Sequence, residues 1–573
     1  GGYEKVVQYP FGYGLSYSTF KREITSVEGS LENGGSITVN VKITNVSGPA
    51  GKDVAQLYVS KPYIENGIEK SHIELVDFAK TDLLAKDGHN EFSFKVDAYD
   101  LASYDYMDAN NNGHKGYELD PGDYTFYVGG SSHVWAEAAD YEKAVVKLEN
   151  GVTFKVDPVT QTPVENLYTF GEYQGTSYVF DDYDDLQYRL SDVRVGSERR
   201  KGMSRTNFAD TFPTPLTVKE RLLNLDDEKK GYTEQTKLES YDHNNIKIEE
   251  ATKDKEIPEM GKTGSEMVLH DLLGEDGRAA FSGGDIDAKW EELLSKITFE
   301  EMLNLVNNGA FQTVAIESIG KNLTNDSDGP IGFVNFMGGV VSAIFEGNNN
   351  FATQIVIGST WNKDLAYQMG LIVGENGLWG DQSGNNSLPY SGWYAPGINL
   401  HRSPFSGRNF EYYSEDPILT GKMAVNVVGA ARTKGVYSDL KHFAVNDQET
   451  NRGGVSTFLT EQALRELYLK PFELAVKGDE APRTVKMFGD NVEDKVVDKY
   501  EGAIGVMSSF NRIGNKFTGG DYRLLTTILR DEWGFRGLVI CDYKTSNLHM
   551  NSRQMLYAGN DLLLTSLPQY YWG

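Results

Sequence analysis

Between residues 21 and about 155 apolar and polar positions alternate one for one, as in "SITVNVKITNV", "DVAQLYVS", "EFSFKVDAYDL" and "DYTFYVGG", with Gly, Asp and Asn between the runs. A period of two puts every second side chain on one face. Each run therefore reads as a half-buried strand, and the region as a small β-sandwich. From about 156 to 290 the pattern dissolves into charged, turn-rich text such as "DDYDDLQYRLSD". With so few apolar anchors, this stretch is expected to be an extended connector wrapped on its neighbours. After "DAKWEELLSKITFEEMLNLVNNG", helical spacing as in "TEQALRELYLKPFELAVKG" alternates with the apolar runs "VYSDLKHF", "AIGVMSSFN", "GLVICDY" and "NDLLLTS". Strand then helix, repeated, indicates a parallel sheet with crossovers, and a (β/α)8-type, TIM-like barrel is its natural closure. The expected fold class is multidomain: a β-sandwich over 1–155, a connector over 156–290 and a barrel over 291–573.

Length agrees, since 573 residues suit three or four domains or one large barrel with additions. A formal charge of −28 argues against nucleic acid and anionic membrane, because both reward a basic face. A neutral or cationic ligand fits better. No apolar run approaches the roughly 18 residues of a spanning helix and no targeting segment is visible, so a soluble chain is expected, with the cytoplasm favoured. The single cysteine, Cys541, excludes a disulfide within the chain. Aromatic residues at 12% suit stacking on sugars and a rigid core equally.

In a parallel barrel, chemistry sits at the C-terminal ends of the strands. Polar residues follow apolar runs at Asp328, at Lys441 and His442, at Ser508, Ser509 and Asn511, and at Cys541 and Asp542. The loop carrying Arg408, Glu411, Glu415 and Asp416 follows "YAPGINL". Carboxylates with one Arg, one Lys and one His, and no repeated His or Cys ligand spacing, point to a hydroxyl-rich ligand and carboxylate chemistry, with no metal or cofactor. Asp542, the first charge after a strand buried on both faces, reads either as a helix cap or as a ligand-facing acid. Lys441 and His442 read either as a salt bridge with a core histidine, or as hydroxyl donors whose cation keeps a nearby Asp ionised. The Arg408 fork suits a carboxylate or two adjacent hydroxyls. "DANNNGHKGYELD" begins like a calcium loop, but its twelfth residue is Leu119 rather than a bidentate Glu, so a sandwich turn is expected. No G-x-S-x-G elbow and no phosphate loop is present.

In order along the chain, "GRNFEYYSEDP", "KHFAVNDQETNR", "VMSSFNRIGN" and "LRDEWGFRGLVICDY" closely resemble the barrel domain of family 3 glycoside hydrolases, the β-glucosidase-like group. "YPFGYGLSYSTF" resembles the start of that family's fibronectin-type-III-like domain. The resemblance implies a retaining, exo-acting mechanism on terminal β-linked glucose, with a small β-glucoside or oligosaccharide as partner. It implies Asp542 as nucleophile, Asp328, Arg408, Lys441 and His442 as sugar-binding residues, and Met507, Phe510 and Tyr543 as pocket walls. Tyr543 stands where the family usually has Trp, and Phe510 where it usually has Tyr; each alters a wall and leaves the sugar open, xylose included.

The fibronectin-like domain precedes the barrel, as in circularly permuted members. The family's α/β sandwich, which usually carries the acid/base Glu, would then lie ahead of residue 1, so a fragment of a longer polypeptide is expected. A missing domain or second chain is expected to supply that Glu. Glu449 and Glu411 are candidates within the chain, but no pattern marks either as the acid. A non-catalytic sugar-binding remnant is the alternative.

Overall fold

The computed structural model describes residues 7–133, 142–168, 204–205, 258–274, 286–333, 350–380, 389–450, 452–457, 459–478, 483–487, 493–497, 501–513, 516–544 and 550–565. Most of the expected connector, 156–290, lies outside the described residues.

Two antiparallel sheets form the sandwich. One has the order β1 (Thr19–Gly29), β2 (Ser36–Ser47), β5 (His89–Asp97); the other has the order β4 (Glu74–Lys80), β3 (Val54–Ser60), β6 (Gly122–Gly129), β7 (Glu142–Leu148). Strand β2 follows its alternation, burying Ile37, Val39, Val41 and Ile43 between the sheets. Strand β3 is buried on both faces, which explains its near-continuous apolar run. Ala55, Leu57 and Val59 fill the sandwich core, whereas Val54 and Tyr58 join Phe78 in a second core shared with Trp361, Met369 and Leu419 of the neighbouring domain. The 108–120 stretch opens as a turn, in which the Asp108 carboxylate accepts from the N–H groups of Asn112 at 2.9 Å and Gly113 at 3.1 Å, and continues as a short antiparallel strand, Gly116–Leu119.

Five parallel strands follow in spatial and chain order: β8 (Thr324–Asp328), β9 (Tyr390–Tyr394), β10 (Tyr437–Phe443), β11 (Gly505–Ser508) and β12 (Leu538–Cys541). A short antiparallel strand, Gln312–Thr313, edges β8. The helices α1 (Lys363–Trp379), α2 (Pro417–Arg432) and α3 (Lys470–Lys477) contribute to the outer layer. Asn362 caps α1 and Asp416 caps α2, the latter with Pro417 in the first turn, where its missing N–H costs nothing. Helices α1 and α2 pack so closely that a Cβ on Gly370 would stand 2.1 Å from the Val427 carbonyl oxygen. Outward-facing Trp393, Leu440, Val506 and Val539 pack with these helices, while Tyr394, Met507 and Ile540 form a separate inner cluster.

The closed (β/α)8 barrel expected from the sequence is not seen among the described residues; the sheet is an open half-barrel. "NDLLLTS" runs beside β12 only briefly: the Asp561 N–H reaches the Val539 carbonyl at 2.7 Å, the Cys541 N–H the Leu562 carbonyl at 3.2 Å and the Lys544 N–H the Leu564 carbonyl at 2.8 Å, yet the pairing amounts to a single parallel bridge, Leu562 to Ile540. Strand β8, "TNDSD", carries no apolar run at all. Its buried Asp326 is satisfied instead by the hydroxyls of Tyr437 at 2.7 Å and Tyr394 at 3.3 Å.

Sandwich and half-barrel are joined by a buried charge network. Arg465 donates from Nε to Glu461 at 2.9 Å, from Nη1 and Nη2 to Glu532 at 2.7 and 3.1 Å, and to the Glu165 carbonyl at 2.9 Å. Glu461 in turn accepts the N–H of Leu167 and Tyr168 and the Tyr104 hydroxyl. A second set of charges joins the two units, in which Asp77 of β4 bridges Lys363 at 2.6 Å and Lys422 at 2.8 Å. Burial opposes the Asp77 charge, but the two lysines outweigh it and hold the carboxyl well below the usual carboxylate range. Removing one member of such a network strands its partners. Arg465→Met, which leaves Glu461 and Glu532 buried without a cation, should lower the unfolding free energy by about 3–5 kcal/mol in urea denaturation; a loss under about 1 kcal/mol would mean that water reaches the two carboxylates.

Candidate active site

Because the five strands are parallel, their C-terminal ends come out on one side, which brings Asp328, Lys441 and Asp542 together. Lys441 is the centre. Its side chain is 3% exposed, and Nζ lies 2.7 Å from Asp328 Oδ1 and 3.7 Å from Glu411 Oε2. Glu411, equally buried, is presented by a single helical turn, Asn409–Glu411, and accepts from Arg408 Nε. The order is thus acid, base, acid, base: Asp328, Lys441, Glu411, Arg408. Burial disfavours the Arg408 charge, yet Glu411 outweighs it and raises the guanidinium's pKa further.

The backbone of His442 is clamped by the Asn399 side chain, which donates to its carbonyl at 3.0 Å and accepts its N–H at 2.8 Å. Its Nδ1 stands 3.4 Å from the Tyr412 hydroxyl and its Nε2 3.6 Å from Asp542 Oδ2. Burial, and then the neighbouring Arg408, Lys441 and Arg452, push its pKa well below the ordinary value, so the imidazole is neutral. A neutral ring can donate one hydrogen bond without adding charge.

Asp542 follows β12 directly. Its N–H is tied to the Ser508 carbonyl at 3.0 Å, and Oδ1 accepts the Tyr543 N–H at 2.7 Å, whereas buried Oδ2 has no hydrogen-bond donor among the described residues. Burial raises its pKa; Arg408, Arg452 and Lys441 pull the other way. A carboxylate with one oxygen anchored and the other free, facing a neutral imidazole and within the field of three cations, is placed to attack or to stabilise positive charge.

The remaining residues anticipated from sequence divide. Met507 and Phe510 lie in the inner apolar cluster with Tyr543 packed against it. Ser508 and Ser509 are turned into the scaffold, donating to Asn560 at 3.2 Å and to the Ala444 carbonyl at 2.7 Å. Asp416 is the α2 cap, its carboxyl pushed up to about 7 by burial. Buried Cys541 accepts the Leu564 N–H, and burial drives its thiol up to about 12. Neither of the candidate acids stands free: Glu411 faces Arg408 and Lys441, and Glu449 faces Asn446, Arg408 and Arg452. Four participants were not picked out from the sequence, namely Asn399, Tyr412, Asn446 and Arg452. Only Arg452 left a signal, a second guanidinium three residues after Glu449; the others act through geometry that no spacing encodes.

Comparison with known proteins matches residues 291–571 to the glycosyl hydrolase family 3 N terminal domain and residues 53–132 to a fibronectin type III-like domain. Beta-glucosidase A of Butyrivibrio fibrisolvens is 28% identical over 98% of this chain and 59% of its own length. A beta-glucosidase of Ruminococcus albus is 28% identical over 94% of this chain and 46% of its own. A solved beta-glucosidase structure from Paenibacillus barengoltzii superposes with a TM-score of 0.67 at 25% identity, covering 98% of this chain and 52% of that one. The chain spans about half the length of these relatives. With both matches in place and the sandwich preceding the half-barrel, residues 291–571 carry a glycosyl hydrolase family 3 N-terminal domain, and a fibronectin type III-like domain lies ahead of it in the chain.

Proposed function

We propose that this chain is the nucleophile-bearing part of a retaining, exo-acting β-glycosidase, most simply a β-glucosidase, taking a small β-glucoside or oligosaccharide. The observation that carries the reading is Asp542: a buried carboxylate with Oδ2 free, beside a neutral histidine and three cations whose own counter-charges are fixed. Oδ2 attacks the anomeric carbon; the bond from that carbon to the leaving oxygen breaks, and the leaving oxygen takes the electron pair. A glycosyl ester on Asp542 results, which water later cleaves. Asp328, Lys441, His442 and Arg408 hold the sugar hydroxyls, and Met507, Phe510 and Tyr543 form the walls. On this reading the half-barrel is part of a (β/α)8-type barrel spanning 291–573, with the sandwich over 1–155 and the connector over 156–290. A retaining pair needs a second carboxyl about 5–5.5 Å from the first to protonate the leaving oxygen. Glu411 and Glu449 already face cations, so the proton donor is assigned to a further domain or chain.

An activated probe, 2,4-dinitrophenyl 2-deoxy-2-fluoro-β-glucoside, leaves without protonation and so tests the nucleophile alone. Mass spectrometry should find one adduct, on the peptide containing Asp542. Asp542→Ala should remove the adduct while the urea midpoint stays at the wild-type value. Saturable binding without any adduct would establish a sugar-binding protein instead.

The pH dependence has a defined sign. Burial raises the Asp542 pKa, and only the carboxylate attacks, so labelling should slow as pH falls through a value above the usual carboxylate range near about 3.9. Arg408→Met, which removes the cation contributing most against that rise, should move this acid limb to still higher pH, read from pseudo-first-order labelling rates.

A further inference from the structure

Glu449 lies between the two arginines nearest in effect to Asp542. Its Oε1 accepts from Asn446 Nδ2 at 2.9 Å and stands 3.7 Å from Arg408 Nη1; its Oε2 stands 3.3 Å from Arg452 Nη1. Asn446 in turn donates to the Tyr412 hydroxyl at 3.0 Å, the same hydroxyl that faces His442. A Cβ on Gly407 would reach the Glu449 side chain at 3.8 Å, so the Arg408 loop rests against this carboxylate. Among the described residues Arg452 has few other restraints. Its side chain is 39% exposed, and its guanidinium lies over the Phe510 ring at 4.8 Å. Two guanidiniums turned toward one small site repel each other, and a long exposed arginine gains both entropy and hydration by swinging out.

We infer that Glu449 is a positioning residue that yokes Arg408 and Arg452 together and holds the second cation over the pocket, where it favours the ionised form of Asp542. The inference rests on Asp542 being the nucleophile. It makes Glu449 a fixed acceptor and not the acid, since among the described residues its oxygens face only donors.

The sign of one measurement separates this role from a simple charge effect. Replacing Glu449 with Gln deletes a negative charge. Acting through space alone, that deletion would make Asp542 easier to ionise and shift the acid limb of labelling to lower pH. If Glu449 acts by holding Arg452, the cation is released and the limb moves to higher pH, the opposite direction.

With the full chain and the dinitrophenyl fluoroglucoside probe, Glu449→Gln should raise the limb by about one pH unit, which is about tenfold slower labelling below it. Glu449→Asp should recover part of the rate. Arg452→Met should reproduce the shift, and adding Glu449→Gln to Arg452→Met should add little, because both substitutions remove the same restraint. A limb that moves down or stays put in Glu449→Gln overturns the inference, and so does full additivity in the double variant. Unaltered labelling combined with loss of turnover only on substrates with poor leaving groups would make Glu449 the proton donor instead. In each of those cases the wild-type chain is still labelled at Asp542; a wild-type chain never labelled there overturns the nucleophile assignment, and this inference with it.

Discussion

Taking a lysine ammonium out of water costs several kcal/mol unless carboxylates replace its hydration, and Lys441 is out of water. Its position dictates much of what surrounds it. Asp328 must close strand β8 at the same level, Glu411 must be folded back by a tight turn, and Arg408 must cover Glu411's remaining charge. Alternating charges in this way leave the cluster compact and oriented before any ligand arrives, and such preorganisation lets fixed dipoles and charges act without reorganising. Asp542 gains from the arrangement without being tied into it: among the described residues no lysine or arginine takes its free oxygen, yet three cations oppose the burial that would protonate it.

The same physics organises the scaffold. The sandwich does not merely precede the half-barrel. Its strand β3 is apolar on both faces because the second face covers helix α1, and its β4 supplies Asp77 to two lysines of the outer helical layer. Gln56 fixes the carbonyl of Gly12 at 2.9 Å, while the Phe11 ring packs tilted against Trp361 with centroids 5.1 Å apart, so the segment that enters the sandwich also touches the half-barrel. At Gly12, with φ of +83° and the Gln56 side chain 2.1 Å from where a Cβ would be, only glycine fits. The Arg465 network adds a polar lock, with Tyr104 of the sandwich region and Tyr168 held by the same glutamate. Apolar contact supplies affinity between the two units, and the buried charges fix their register, since a slip would leave each carboxylate without its partner.

The sequence by itself determined the parts whose physics is local. Strict alternation in "SITVNVKITNV" admits little but a half-buried strand, and "LVIC" ending on Asp542 places an acid at a strand end whichever way the sheet closes. Lys441 beside His442, Arg408 and Asp328 were legible as convergent because strand ends in a parallel sheet share one side. Tertiary structure alone decided the rest. Strand β8, made of "TNDSD", has no apolar signature, since its Asp326 is buried by tyrosines that arrive from β9 and β10. The open half-barrel, the clamp of Asn399 on His442, and the choice of Glu411 and Glu449 as counter-charges all depend on segments that meet only after folding. Residue type and spacing can announce that charges will be buried; which oxygen faces which nitrogen is a matter of distances set by packing.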